Sequence, residues 1–301
     1  MRNNKDENIE RTDEVERIDE VERIDEIERI DEIERIDEVE RIDEVERIDE
    51  VERIDEVERI DEIERIDEIE RAYAEKALER RRVNLAFAAR GVEFFDLDQA
   101  YIEEGVKIGP GTYIGPATII TGATAIGAGC TIGQGCRIEG CTIADGATVE
   151  HSVLTDSIIG EQTHVGPFAY VRPGSSIGSR CKIGDFVEVK NSVLGDDVKV
   201  SHLTYIGDSD LGSRINVGCG VVFVNYDGRD KHRSSVGDGA FIGCNTNIVS
   251  PVRIGPGAYI AAGGTVTHDV PAGALFIARD RGRSIEGWVE KRGLLKSRLK
   301  K

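Results

Sequence analysis

The chain has 301 residues, of which 39 are basic and 58 acidic, giving a formal net charge of −19 at pH 7. Residues 1–71 hold 13 basic and 33 acidic side chains, whereas the other 230 residues hold 26 and 25. The excess negative charge therefore belongs to one segment, and it gives no information about which ligands the remaining residues bind. Aromatic residues make up only 5% of the chain, against 34 glycines, which excludes a conventional core rich in Phe. No stretch reaches the roughly 18 apolar residues of a membrane span and no leader-like run begins the chain, so a cytoplasmic protein is expected.

Residues 12–71 repeat the six-residue unit [Val/Ile]-Glu-Arg-Ile-Asp-Glu. The apolar residues fall at every third position, so in an α-helix they drift by about 60° per step and circle the axis instead of forming a coiled-coil seam. Pairs such as Asp19 and Arg23, four residues apart, would support a solvated helix. The segment 1–71 is thus predicted to be a long solvated helix or a partly disordered spacer. A role in binding a partner or in oligomerisation stays open in both cases, and the segment contains no recognisable chemistry.

Residues 72–100 form a junction. Residues 72–89 are rich in Ala, Glu, Arg and Leu, which favour a helix, and Gly91 is a suitable C-terminal stop. The stretch GVEFFDLDQAYI that follows turns toward strand character.

A second and different hexad fills residues 101–278. One aliphatic side chain recurs at spacings of five or six residues, and the series opens with Ile102, Ile108, Ile114, Ile120, Ile126, Ile132 and Ile138. A small residue stands two positions before most of them, and Gly often follows directly. Because an extended segment alternates its side chains between two faces, the aliphatic and the small residue point the same way. Three short strands joined by turns close a triangular coil of about 18 residues, and stacked coils pair as parallel strands.

This pattern predicts an all-β domain, a left-handed parallel β-helix of about nine coils, with the aliphatic residues filling its interior. Hexapeptide repeats of this kind are those of left-handed β-helices, an exception to the usual right-handed crossover. The remaining residues, 279–301, form a basic tail with a single Trp288. Docking of this tail on a neighbouring subunit or on a bound cofactor is favoured over nucleic-acid binding.

Four cysteines occupy the small-residue position of the hexad and are predicted to pack in the core: Cys130, Cys136, Cys141 and Cys181. Cys219 and Cys244 instead follow Val217 and Ile242 by two residues, where a corner or a site lining is expected. The five histidines are too scattered to suggest a zinc site, so no metal is predicted.

Polar residues accumulate between Arg172 and Arg233. Arg172 and Lys190 are 18 residues apart, one full coil, and should stack about 4.8 Å apart. Two stacked cations repel one another unless an anion lies between them, so the pair is either a phosphate clamp or two solvated surface charges. The hexad is also interrupted by an insertion, NYDGRDKHRS at 225–234, and such loops on a rigid scaffold often bind ligands.

At these residues the chain resembles the acetyltransferase half of the bifunctional glucosamine-1-phosphate acetyltransferase/N-acetylglucosamine-1-phosphate uridyltransferase family. The matching stretches are GPFAYVRPG, GDFVEVKNSVLGDD, SHLTYIGDSDLG, INVGCGVVFVNYDG, VSPVRIGPGAYIAAGGTVTHDVP and EGW. The resemblance covers roughly residues 72–290. It implies transfer of an acetyl group from acetyl-CoA to the amine of glucosamine 1-phosphate, in a homotrimer, for UDP-N-acetylglucosamine and cell-wall synthesis.

The resemblance also implies roles for individual residues. His202 corresponds to the general base that deprotonates the sugar amine. The sugar phosphate would be held by Arg172, Lys190, Tyr205 and Lys231, and the sugar contacted by Asn216 and Asn225. The acetyl-CoA positions are Cys219, Cys244, Ala262 and Arg279, although Cys219 stands where Ala is expected and Cys244 where Ser is expected.

The uridyltransferase half is absent, and the acidic repeat precedes the β-helix instead. Uridylyl transfer is therefore not expected of this chain, and a separate uridyltransferase is an expected partner, whereas nucleic acid and membrane are not. Three alternatives stay open: another hexapeptide acyltransferase acting on serine, a diaminopimelate precursor or a nucleotide sugar; a non-enzymatic scaffold; and a regulatory paralogue that binds ligand without turnover.

Overall fold

The computed structural model describes residues 62–294 and the isolated positions Arg35, Arg41, Arg47 and Arg59. Most of the acidic hexad segment and residues 295–301 of the basic tail therefore lie outside the described residues. The chain divides into two compact units, Met1–Glu75 and Lys76–Lys301. In the first unit residues 62–75 are helical. Ile63, Ile66 and Ile69 are all exposed there, as expected of a solvated helix.

In the second unit residues 76–88 are helical, and 30 short strands and one four-residue helix follow. The strands are β1 (Glu93–Phe94), β2 (Ala100–Ile102), β3 (Lys107–Ile108), β4 (Tyr113–Ile114), β5 (Thr118–Thr121), β6 (Ala125–Ile126), β7 (Thr131–Ile132), β8 (Arg137–Glu139), β9 (Thr142–Ile143), β10 (Thr148–Val149), β11 (Val153–Thr155), β12 (Ile158–Ile159), β13 (His164–Val165), β14 (Tyr170–Val171), β15 (Ser176–Ile177), β16 (Lys182–Asp185), β17 (Glu188–Lys190), β18 (Val193–Leu194), β19 (Lys199–His202), β20 (Tyr205–Gly207), β21 (Ser209–Leu211), β22 (Asn216–Val217), β23 (Val222–Val224), β24 (Ser234–Val236), β25 (Phe241–Ile242), β26 (Asn247–Val249), β27 (Arg253–Ile254), β28 (Tyr259–Ile260), β29 (Thr265–Val266) and β30 (Leu275–Phe276). The helix 76–88 is α1, and α2 spans Trp288–Lys291.

From β1 to β29 every third strand joins the same sheet, and β30 then pairs with β28, so the strands form three parallel sheets of 11, 10 and 9 strands. Sheet A begins β1-β4-β7, sheet B begins β2-β5-β8, and sheet C begins β3-β6-β9. The predicted all-β fold, a parallel β-helix, is confirmed. It has about ten turns instead of nine. The predicted number counted hexads from Ile102 onward. Strand β1 lies before Ile102 and pairs with β4, and strand β30 lies after the last counted hexad and pairs with β28.

The interior of the coil is filled as the hexad pattern predicts. The aliphatic residue of each hexad is buried except for Ile108, which is half-buried, and Cys130, Cys136, Cys141 and Cys181 are buried in the small-residue position. Most hydroxyls in that position bond to the backbone of the next coil, whereas those of Ser209 and Thr246 donate to carbonyls of their own coil. Thr112 donates to the carbonyl of Gly127 at 2.8 Å and accepts from the amide of Cys130 at 3.1 Å. The core can therefore include polar side chains without leaving them unpaired.

Helix α1 closes the first coil. Asn84 is fully buried and its side-chain amide donates to the carbonyls of Leu97 and Ala100, at 2.7 and 2.9 Å. Phe87 of the same helix packs into the core cluster beside it. Past the helix end, Gly91 has φ of 90°, a conformation that favours glycine. Within the described part of the chain, no helix is both apolar and long enough to span a bilayer.

Candidate active site

One corner of the β-helix lines up four polar or thiol side chains. Strands β16, β19, β22 and β25 are successive members of sheet A. Val200 pairs with Val217, and Val217 pairs with Ile242, all three facing the interior. His202, Cys219 and Cys244 each follow one of these residues by two positions, and Asp185 pairs directly with His202. Asp185, His202, Cys219 and Cys244 thus occupy equivalent places on four consecutive coils, here called the corner column.

Asp185 and His202 form a hydrogen-bonded pair in this column. His202 Nδ1 lies 2.5 Å from Asp185 Oδ1, and the imidazole is more than half exposed. The hydrogen bond to His202 lowers the pKa of Asp185, so the carboxylate is ionised at neutral pH. An ionised carboxylate can only accept, so Nδ1 donates, and in the neutral imidazole Nε2 then has the free lone pair. This is the tautomer that a general base requires.

Three cations meet on sheet B, beside the corner column. Val171 pairs with Val189, so Arg172 and Lys190 lie on adjacent coils as their 18-residue spacing predicts. The ammonium of Lys190 lowers the pKa of Lys231, so the insertion brings its lysine to the same place. Arg172 is paired with Glu188 at 2.7 Å and Lys190 with Asp208 at 3.5 Å. Within residues 62–294, Lys231 forms no ion pair with a carboxylate, so the cluster keeps one uncompensated positive charge.

Asp208 connects the cations to Asn225. It is nearly buried, and it accepts hydrogen bonds from the amides of Asn191, at 2.6 Å, and Asn225. Burial acts to raise the pKa of Asp208, but those two amides and the charge of Lys190 outweigh it and hold the pKa below its ordinary value. Asn225 also donates to the hydroxyl of Tyr205 at 3.4 Å. Tyr205, Asn225 and the three cations are therefore parts of one cluster, here called the cation cluster.

The insertion has a defined shape that holds Lys231 in position. Asp227 accepts hydrogen bonds from the amides of Arg229 and Asp230, at 2.8 and 2.7 Å, and pairs with His232 Nε2 at 2.7 Å. At the end of the loop Arg233 donates from Nε and Nη2 to the two carboxylate oxygens of Asp210 on sheet C, at 2.6 and 2.5 Å. The backbone of the insertion is thereby fixed at both ends to the β-helix.

The other predicted site residues lie along sheet A and its corner. Asn216 opens β22 and is exposed on the outer face of sheet A, away from the contacts of the cation cluster. Ala262 follows Ile260 by two residues and so continues the corner column past Cys244. Arg279 donates from Nε to the carbonyl of Ala262 at 2.8 Å. The structure thus brings Arg172, Lys190, Tyr205, Asn225 and Lys231 together, while Asn216 stands apart within this chain.

Three residues that the sequence interpretation did not assign belong to these clusters: Asp185, Asn191 and Asp208. Asp185 and Asp208 each lie 17 residues from their partners His202 and Asn191. A search at one-coil separations around His202 and Lys190 would have found them. The described residues include no group of three or more His, Cys, Asp or Glu side chains arranged to bind a metal.

Apolar side chains are exposed to solvent directly after the positions of the corner column. Phe168, Phe186 and Leu203 are 55%, 59% and 57% exposed. The rings of Phe168 and Phe186 stack with their centroids 5.5 Å apart. An exposed apolar ladder of this kind is unusual on a monomer surface and marks a contact surface.

Two family models match parts of the chain: the GMPPB C-terminal domain over residues 97–175 and the bacterial transferase hexapeptide (six repeats) over residues 233–268. Similar solved structures include a UDP-N-acetylglucosamine acyltransferase from Francisella novicida, with 20% identity and a TM-score of 0.39, covering 65% of this chain and 72% of that one. Another is LpxA from Acinetobacter baumannii, with 17% identity and a TM-score of 0.38, covering 66% and 76%.

Curated relatives are much more similar in sequence. The protein named bifunctional protein GlmU from Clostridium botulinum (strain Langeland) is 48% identical over 217 residues, which is 72% of this chain and 48% of the relative. The protein of that name from Clostridium kluyveri (strain ATCC 8527) is 50% identical over 225 residues, 75% and 49% of the two chains. That from Clostridium perfringens (strain SM101) is 51% identical over 219 residues, 73% and 48%. The chain spans about half the length of these relatives, and over nearly three quarters of its own length it is a homologue of one half of the proteins named bifunctional protein GlmU.

Proposed function

We propose that the chain is an N-acetyltransferase that transfers the acetyl group of acetyl-CoA to the amine of glucosamine 1-phosphate, giving N-acetylglucosamine 1-phosphate. The observation that carries this proposal is the Asp185–His202 pair standing beside the cation cluster. One group of residues suits proton removal from an amine, and the other suits a bound phosphate. The resemblance to the GlmU proteins supports the same assignment.

The proposed chemistry needs no covalent enzyme intermediate. His202 Nε2 takes a proton from the sugar amine, and the amine nitrogen attacks the thioester carbon. A C–N bond forms, the C–S bond breaks, and the coenzyme A thiolate leaves and is protonated. Backbone N–H groups of the coils would stabilise the oxyanion that forms on the thioester oxygen. Asp185 keeps the imidazole in the productive tautomer and stabilises the imidazolium that results.

In this proposal the phosphate of the acceptor binds the cation cluster. Arg172 offers a planar guanidinium, and Lys190 and Lys231 offer point charges. A phosphate dianion placed between the two lysines would relieve their mutual repulsion, which already lowers the pKa of Lys231. Tyr205 supplies a hydroxyl to the phosphate end and Asn225 supplies an amide to the sugar, and Asn216 is proposed to reach the sugar of a site completed by a neighbouring subunit.

Acetyl-CoA is proposed to bind along the corner column, at Cys219, Cys244, Ala262 and Arg279. This places the thioester next to His202, since Cys219 is the next member of the column. The guanidinium of Arg279 is a suitable partner for a phosphate of the coenzyme. The exposed ladder of Phe168, Phe186 and Leu203 supports a homotrimer in which these three side chains face another subunit. All six cysteines are free thiols, which supports the proposed cytoplasmic location.

A thiol-release assay with acetyl-CoA tests the proposed function. Glucosamine 1-phosphate, glucosamine 6-phosphate and serine are compared as acceptors, and UTP is supplied in a separate arm with pyrophosphate measured. Selective release of coenzyme A with glucosamine 1-phosphate supports the proposal. Release with serine alone would favour a different hexapeptide acyltransferase, and no release with any acceptor would favour a scaffold or regulatory protein. Pyrophosphate from UTP would contradict the expectation that the chain does not transfer uridylyl groups.

The same assay tests the proposed role of His202 as the general base. His202→Ala should lower kcat by about 10²–10⁴-fold, the range for loss of a general base. His164→Ala is the matched control, because His164 is a half-exposed histidine two coils away that pairs only with Glu150 at 3.5 Å. Near-normal turnover in His202→Ala would remove His202 from the mechanism.

A further inference from the structure

Cys219 and Cys244 are neighbours across two coils of the corner column. Val217 pairs with Ile242, so the two cysteines, each two residues later, occupy the same turn position. The amide of Asn245 donates to the carbonyl of Cys219 at 2.8 Å, which holds the two turns together at this point. Parallel neighbours lie about 4.8 Å apart, within the range of roughly 4.4–6.8 Å between the Cα atoms of a disulfide.

These two thiols differ from the other four in access. Cys130, Cys136, Cys141 and Cys181 are buried, and burial raises the pKa of each of them, which disfavours the reactive thiolate. Cys244 is exposed and Cys219 is half-buried. A reagent in solution therefore meets the corner pair first.

We propose that Cys219 and Cys244 form a dithiol modification site, which low-molecular-weight disulfides oxidise to an intrachain disulfide beside His202. In the first step the Cys244 thiolate attacks one sulfur of the reagent, so the reagent's S–S bond breaks and one thiolate leaves. In the second step the Cys219 thiolate attacks the Cys244 sulfur and displaces the second reagent thiolate. Two protein thiols are oxidised, one external disulfide is reduced to two thiols, and the two protons end on the leaving groups.

The bond formed in this way should be readily reversible. Side chains at equivalent places on stacked parallel coils point in parallel directions, so their Cβ atoms must approach from about 4.8 Å to the roughly 3.8 Å that a relaxed disulfide has. The resulting strain, together with exposure, is typical of labile disulfides. Because Cys219 is adjacent to His202 in the column, formation of the disulfide changes the surface on which the thioester is proposed to lie. This consequence for activity, but not the chemistry of the pair, rests on the proposed function.

The test exposes the reduced full-length chain to oxidised glutathione at neutral pH, then alkylates the remaining thiols and maps the peptides by mass spectrometry. We expect the wild-type chain to lose two hydrogens, to retain no glutathione, and to yield one linked peptide pair containing Cys219 and Cys244. Cys219→Ala should instead keep one glutathione on Cys244, since no second thiol can displace it. Cys181→Ala is the matched control and should oxidise like wild type, because Ala240 and Ala258 fill its core position in other coils.

Stable attachment of glutathione to both Cys219 and Cys244 of the wild type, without a linked pair, would overturn the proposal. A linked pair involving one of the four core cysteines would do so as well.

In a second arm, thiol release from acetyl-CoA is measured before oxidation, after it, and after reduction with dithiothreitol. We expect kcat/KM for acetyl-CoA to fall about tenfold or more and to return on reduction. If the reduced chain shows no acetyl transfer, the proposed function fails, while the peptide map still decides the dithiol proposal.

Discussion

Asp185 Oδ1 and His202 Nδ1 lie 2.5 Å apart on neighbouring coils of the same corner. The separation of 17 residues is set by the length of one coil, so the β-helix itself provides the alignment of the two side chains. A carboxylate in this position selects the tautomer of the imidazole and counters the positive charge that develops on it.

Asp185→Asn should therefore lower kcat by about 10-fold or more, a part of the 10²–10⁴-fold expected for the base itself. Asparagine retains the size of the side chain but not the charge that stabilises the imidazolium, so the acid limb of the rate profile should move to lower pH. The measurement is kcat/KM for acceptor between pH 5 and 9. Asp197→Asn is the control, because Asp197 is also a turn aspartate with one strong partner, Arg180, at 2.9 Å. An unshifted profile in Asp185→Asn would assign Asp185 a structural role only.

Lys231→Met should weaken binding of phosphorylated acceptor without harming the fold. The side chain is exposed and pairs with no carboxylate among the described residues, so its removal leaves no buried charge behind. We expect KM for glucosamine 1-phosphate to rise about 10-fold, corresponding to the loss of one charge-assisted bond. KM for unphosphorylated glucosamine should stay the same.

Lys182→Met, on the outer face of sheet A, is the matched control for this charge removal. An equal rise in KM for phosphorylated and unphosphorylated acceptors in Lys231→Met would show that this lysine does not bind phosphate.

Neighbouring isoleucines of β12 provide a direct test of the hexad pattern. Ile159 is fully buried, whereas Ile158, the residue before it, is 53% exposed. Ile159→Ala should lower the free energy of unfolding by about 2–5 kcal/mol, because it leaves a cavity between coils. Ile158→Ala should change it by less than about 1 kcal/mol. Urea unfolding followed by circular dichroism measures both, and equal effects would contradict the inward assignment of Ile159.

Acid should destabilise the folded chain through several aspartates whose pKa values are lowered in the fold: Asp185, Asp197, Asp208, Asp210 and Asp227. A carboxyl group with a lowered folded pKa binds fewer protons in the folded than in the unfolded chain. Its stabilisation is present above the unfolded value of about 3.9 and is lost as pH falls through the folded value. The thermal midpoint should therefore decline from pH 5 to pH 2. Asp208→Asn should lower the midpoint at pH 6 and flatten the decline, whereas an unchanged slope would exclude Asp208 as a contributor.

The fold could be predicted from the hexads because one buried aliphatic residue per strand is enough to define the inward face and the three-sheet closure. The stacking of Arg172 on Lys190 followed from a coil of 18 residues. Other contacts could not be placed, because turns shorten individual coils. Tyr205 pairs with Glu188, not with Lys190, and Gly207 takes the place beside Lys190. The same shortening applies to His202. A coil of 18 residues would place Gly184 beside it, whereas the coil here has 17 residues and places Asp185 there.

Helix α1 determines what the first coil of the β-helix presents at its open end. A ladder of parallel strands has no intrinsic end, because its last strand presents unpaired N–H and C=O groups that can add another strand from another molecule. Asn84 occupies the carbonyls of Leu97 and Ala100, and Phe87 covers the first coil. The helix thus covers the first coil at the end where a strand of another molecule could otherwise add.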